Sequence, residues 1–171
     1  NIIKFLVIIL IFLNLSCITP VDEKQYREAI KDVKSEDIDF AFMKFNSYLR
    51  KYPDSTHSQE VKFAIAEYYF QIKDYRDAIY KLTEYIKDYS EDKDIIFAKV
   101  LLYKSLLEYK NEPLLIEKIK QEFFSKSIFL IFSDSKTEYY NSILDNTYKI
   151  VDYIDKIEVF KNDDLILKIT P

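Results

Sequence analysis

The sequence predicts an all-α protein: about three antiparallel helix hairpins arranged as repeats, one further C-terminal helix, and a small β-hairpin at the end. Three observations carry that prediction. Ala41, Phe45, Tyr48 and Pro53 recur as Ala78, Leu82, Tyr85 and Ser90, each displaced by the same 37 residues. A fixed offset across several constrained positions marks repetition of one supersecondary unit. Apolar residues through most of the chain return at three- and four-residue spacing, the mark of helices with one buried face. The third observation is that the 171-residue chain contains no glycine, which removes phosphate-cradling loops, dinucleotide fingerprints and EF-hands.

Residues 1–16 read as a secretion signal. Lys4 precedes an apolar run from Phe5 to Leu13, shorter than the roughly 20 apolar residues a membrane-spanning helix needs. Cys17, the single cysteine, follows Ser16 directly. That placement resembles the lipobox of bacterial lipoproteins, in which signal removal leaves a cysteine that carries lipid; a simple cleaved signal and an uncleaved anchor are the other readings of the run. Ile18 is not acidic, which within that resemblance points to the outer membrane. Residues 17–22 are expected to form a lipid-anchored tether.

Helical repeats are expected over residues 23–132. A first helix over about 23–35 places Tyr26, Ala29, Ile30 and Val33 on one face,. Its partner, about 38–51, is stopped by Pro53, and the Asp54-Ser55-Thr56 stretch offers a cap for the next helix,. The helix over about 57–72 is apolar on more than one face, with Val61, Phe63, Ala64, Ile65, Ala66, Tyr68, Tyr69 and Phe70. Residues 94–110 form another helix, broken by Asn111-Glu112-Pro113, and Pro113 suits the first position of its successor,. That successor is expected to run to Phe132, where Ile128–Phe132 reads equally as helix or buried strand,. Residues 133–156 are expected to be a capping helix. Ser135 and Glu138 match a capping box, and Tyr140, Ile143, Leu144, Thr147, Tyr148, Val151 and Ile154 fit a 3.6-residue period,. Residues 157–171 form a β-hairpin tail, two short strands joined by Asn162-Asp163-Asp164, whose side chains suit a tight turn,.

The repeated residues resemble the tetratricopeptide (TPR) pattern. Small residues (Ala29, Ala41, Ala66, Ala78) let antiparallel helices approach, while Phe45, Tyr69 and Leu82 fill the gaps between them,. Asp32 departs from the pattern, standing where an aromatic is expected.

Little in the sequence fits catalysis. His57 is the single histidine and reads as a surface residue near a helix start. A nucleophile needs an adjacent base, and a zinc site needs several His or Cys ligands. Carboxylate pairs such as Asp37/Asp39 and Asp163/Asp164 lie in polar turns with no apolar pocket to tune them,. A net charge of −4 argues against a nucleic-acid surface. No enzyme activity, cofactor or metal is expected.

Binding remains. The TPR resemblance implies that spaced positions of each first helix line a concave groove: Tyr26 and Ile30 in the first repeat, Glu60, Phe63, Glu67 and Phe70 in the second. Aromatics alternating with carboxylates suit a peptide with apolar anchors and some basic character, although Phe63 and Phe70 fit a plain core equally well. The ordered motifs Tyr26-x-x-Ala29, Phe40-Ala41-x-x-x-Phe45, Tyr52-Pro53-x-Ser55, Ser58-x-x-Val61, Ala66-x-x-Tyr69 and Asp74-Tyr75-x-x-Ala78, behind a lipoprotein-like signal, resemble the BamD (YfiO) outer-membrane assembly lipoproteins over about residues 22–110. They are similar, more weakly, to the C-terminal repeats of YbgF, an envelope coordinator. The first resemblance implies a lipid-anchored periplasmic scaffold that receives barrel precursors or binds the barrel insertase. The second implies a scaffold for cell-wall or Tol–Pal complexes.

Overall fold

The computed structural model describes residues 21–110, 112–125, 137–153 and 155–171. Among these residues six helices come first: α1 (Val21–Lys34), α2 (Ile38–Lys51), α3 (Ser58–Gln71), α4 (Tyr75–Asp88), α5 (Ile95–Tyr109) and α6 (Pro113–Phe124). Four strands follow: β1 (Thr137–Asn141), β2 (Thr147–Asp152), β3 (Ile157–Lys161) and β4 (Asp164–Ile169). Each helix packs chiefly on its neighbours in sequence, and α3 also meets α5, as in a stack of hairpins whose units touch only the next unit. The expected signal, Cys17 and most of the tether lie outside the described residues, as does the expected helical extension to Phe132.

The 37-residue period is visible in the backbone. Glu36, Lys73 and Lys110 are spaced by that interval and all adopt left-handed conformations, with φ of 63°, 62° and 57°. Each sits just after the first helix of a hairpin, where a left-handed residue ends the helix and turns the chain. The following helix starts alike in the first two hairpins. The Asp37 carboxylate accepts a hydrogen bond from Phe40 N and the Asp74 carboxylate accepts one from Asp77 N, each at 3.2 Å. These are N-caps that satisfy otherwise unpaired amides.

Packing follows the small–large code. Ala29, Ala41, Ala66, Ala78 and Leu82 are fully buried, and Phe45 nearly so. Tyr69 is half-buried, its ring edge-on to Phe42 at 5.3 Å. Burying a large apolar side chain contributes about 1.5–3 kcal/mol, so these contacts hold the hairpins together. One core cluster joins α1, α2 and α3; a larger one runs from α3 to α6 and on into the sheet.

The C-terminal region departs from expectation. In place of a capping helix over residues 133–156, β1 and β2 pair antiparallel, Glu138 opposite Ile150 and Tyr140 opposite Tyr148. The full sheet is antiparallel in the order β1-β2-β3-β4, so the chain is not all-α. The physical reason is that Tyr148 and Ile150 are buried with alternate neighbours more open, a period of two that the helical spacing of Tyr140, Leu144, Tyr148 and Val151 concealed. The intervening Ser142–Asn146 segment turns with Asp145 at φ 62°, which Asp tolerates better than most residues. Aromatic and β-branched residues around the turn favour strands. Strands β3 and β4 turn at Asn162 and Asp163, both with positive φ. The sheet buries Tyr148, Ile150, Ile157, Val159, Leu167 and Ile169 in the α3–α6 core, which gives the hairpins the packing partner they need for stability.

Candidate functional site

The inner surface of the helical stack is occupied by the chain's own β1–β2 hairpin. Tyr140 packs edge-on to Phe63 (4.9 Å between centroids) and stacks with Phe97 (5.3 Å). Leu144, at the hairpin tip, is buried in the cluster that holds Ala29, Val33, Ala64 and Ile65. Between these contacts lies Glu67, fully buried. Its Oε1 accepts hydrogen bonds from Tyr148 OH at 2.7 Å, Asn146 Nδ2 at 2.8 Å and Ser142 Oγ at 3.0 Å. Oε2 has no hydrogen-bond partner among the described residues.

Burial pushes the Glu67 carboxyl above its ordinary range, against the opposing pull of its three donors and of the Lys161 charge. Removal from water disfavours the ionised form, and hydrogen bonds to it recover only part of that cost. Burial and the neighbouring carboxylate push the Tyr148 hydroxyl upward as well, so it stays protonated and donates. Asn146 is held in turn by Asn162 Nδ2, which reaches its Oδ1 at 3.2 Å. Asn162 thus links the β3–β4 turn to the Glu67 site.

The six residues expected to line a groove therefore separate. Phe63 and Glu67 lie beneath the hairpin, buried to 1% and 0% exposure, and Phe63 also packs edge-on to Tyr85. Phe70 is half-buried near the far end of α3, edge-on to Tyr75 at 6.2 Å. Tyr26, Ile30 and Glu60 stay partly exposed, with Tyr26 and Glu60 beside the start of α3. There the helices and the sheet leave an open cleft of about 340 Å³. Gln59, Glu60, Tyr85, Asp92 and Asp94 form its helical side, and Tyr140, Asn141 and Ile143 the sheet side. Gln59 Nε2 donates to Asp92 at 2.6 Å. Burial raises Asp94, with Asp92 adding to the effect and Lys93 opposing it, and burial pushes the Tyr85 hydroxyl up to about 12. The result is a carboxylate-rich cleft with tyrosine walls.

His57 lies beside Tyr26 and Glu60 and is not the bare surface residue expected. Its ring lies parallel to that of Tyr26 at 3.8 Å, with Nε2 2.7 Å from Glu23 and Nδ1 2.5 Å from Glu60. The sequence carried a partial signal, because Tyr26 and Glu60 were both expected to face the groove. Only folding brings His57 between them. Glu67 was expected to face the groove as well, but nothing in the sequence pointed to its burial or its donors, which lie 75 to 81 residues away.

Among the described residues, no cluster of His, Cys, Asp and Glu is arranged to hold a metal ion. No helix among them is long and apolar enough to cross a membrane. A sequence model of the YfiO family, described as an outer membrane lipoprotein, matches residues 20–140. No curated protein and no solved structure matches the chain. The match takes in the six described helices and stops inside β1, so most of the described sheet lies beyond it. With residues 20–140 of the 171 matched, well over half of its length, the chain belongs to the YfiO family of outer membrane lipoproteins.

Proposed function

We propose that this protein is a periplasm-facing scaffold, anchored to the outer membrane by lipid on Cys17, that takes part in assembling outer-membrane β-barrel proteins. Its body is three TPR-like repeats, a count supported by the left-handed turns at Glu36, Lys73 and Lys110. The observation that carries the functional reading is the family match across the helical body. It is a binding role, as in the scaffold lipoproteins of the family, and requires no catalytic group.

The partner segment engages the groove where the β1–β2 hairpin leaves it open. Tyr26, Ile30 and Glu60 line that opening, with the Asp92/Asp94 cleft beside it and Phe70 at the distal end. Phe63 and Glu67 support it from beneath. Three carboxylates around tyrosine rings favour a polypeptide segment with an apolar anchor and basic side chains, since charge complementarity steers and orients such partners.

Photo-crosslinking residues at Tyr26 and Glu60 in the membrane-anchored protein test this reading. They are expected to capture barrel precursors or the barrel insertase, while the same probe at the buried Phe63 captures neither. Exclusive capture of cell-wall synthesis factors would favour the envelope-coordination role, and no envelope protein at either open position would refute both. Anchoring is tested separately, with radiolabelled palmitate expected to enter the wild type and not Cys17→Ala.

A further inference from the structure

His57 makes two contacts that a neutral imidazole cannot make together. Nε2 lies 2.7 Å from Glu23 Oε2 and Nδ1 lies 2.5 Å from Glu60 Oε1. Ionised carboxylate oxygens only accept, and a neutral imidazole carries a single N–H. With both partners ionised, a neutral ring would face one of them lone pair to lone pair. The imidazolium donates to both.

The contacts join distant parts of the chain. Glu23 stands in the first turn of α1, whereas His57 and Glu60 flank the start of α3. The flat stacking on Tyr26 fixes the ring plane so that both nitrogens are aimed at once. The surrounding charge favours the cation. Asp22 and Glu23 come from α1, where Arg27 holds Glu23 through its other oxygen at 2.5 Å. Glu60 belongs to α3, and Asp92, Asp94 and Tyr140 share its cleft. Tyr48 from α2 faces Tyr26 at 6.1 Å between ring centroids.

We propose that His57 is a proton-operated latch: as the imidazolium it ties α1 to α3, and loss of the proton lets α1 open away from the groove at Tyr26 and Ile30. Burial by itself would lower the imidazole's affinity for a proton, but its bonds to Glu23 and Glu60 outweigh that and raise it. A group bound more tightly to its proton in the folded state contributes stability that is fully present below the unfolded value near 6.5,. That contribution is lost as pH rises through the raised folded value. Each unit of elevation corresponds to about a tenfold change in the opening equilibrium of α1. The latch stands on this geometry alone, whatever partner the groove takes.

Since the chain has a single histidine, one imidazole resonance reports the proton. The test is an NMR titration of that resonance beside hydrogen exchange of α1 and α5 amides over the same pH range, corrected for intrinsic exchange. The imidazole is expected to titrate above its ordinary value, and α1 protection to fall through that same midpoint while α5 protection holds. Glu23→Gln should lower the midpoint, and His57→Gln should remove the pH step in α1. An imidazole titrating at or below its ordinary value would overturn the latch, as would α1 protection that ignores the titration. Both readings come from the wild type, so the test stands even if a variant folds poorly.

Discussion

Replacing Tyr148 by Phe isolates the shortest of the three hydrogen bonds that the sheet region makes to Glu67. The ring is fully buried and Phe keeps it, so the change removes one hydroxyl and little packing. Glu67 then retains Asn146 at 2.8 Å and Ser142 at 3.0 Å on Oε1, with no hydrogen-bond partner in view for Oε2. A hydrogen bond to a charged group contributes about 1.5–3 kcal/mol. In a chain of this length each kcal/mol moves the melting temperature by about 2–4 °C. The expected loss is about 2 kcal/mol and roughly 4–8 °C, with an unchanged denaturant slope, read by urea and thermal unfolding. Tyr139→Phe, at an exposed hydroxyl on the same sheet, should change nothing. A melting temperature for Tyr148→Phe within about 1 °C of wild type would refute the claim that this hydroxyl helps hold the sheet against α3.

Glu67→Gln should flatten part of the pH dependence of stability. The buried carboxyl keeps its proton to higher pH when folded than when unfolded, so wild-type stability falls as pH rises from the ordinary carboxylate range through that raised value. Gln has no proton to lose, and a variant whose stability follows pH like the wild type would count against the assignment. Ala66→Leu forces a larger side chain into a fully buried helix contact and should lower stability by about 1–3 kcal/mol in urea unfolding. Lys73→Gly should raise stability by up to about 1 kcal/mol in the same assay, because a left-handed φ of 62° strains every residue with a Cβ, whereas glycine adopts it freely at some cost in unfolded-chain entropy.

The helical half was legible because its code is local. Two helices that touch need small residues where their backbones approach, and that requirement recurs at each turn of the repeat. Ala41/Ala78 and Phe45/Leu82 therefore announced both the hairpins and their period. Asp37 and Asp74 mark helix starts for an equally local reason, since a cap needs its partner only three residues on. The strands over 157–161 and 164–169 could be read from their turn residues. Residues 137–152 could not, because Tyr140, Leu144 and Tyr148 satisfy a helical period while Tyr148 and Ile150 satisfy a strand period. A segment of that kind is resolved by the surface available to it, and here α3 and α5 offered a groove floored by Phe63 and Phe97.

From sequence alone, then, came the repeat, the helices over about 23–35, 38–51, 57–72 and 94–110 to within a residue or two, and the family resemblance; the helices are set by interactions between residues near one another in the chain. Tertiary structure decided which of the expected groove residues stay exposed. It closed Glu67 and Phe63 beneath a hairpin more than 70 residues away, and it set His57 between Glu23 and Glu60 from two different helices. Neither arrangement has a local signature: a buried carboxylate is tolerable only where donors converge on it, and a doubly bonded imidazolium only where two helices bring their carboxylates to one ring. That convergence exists only once the helices have packed and the sheet has docked on them.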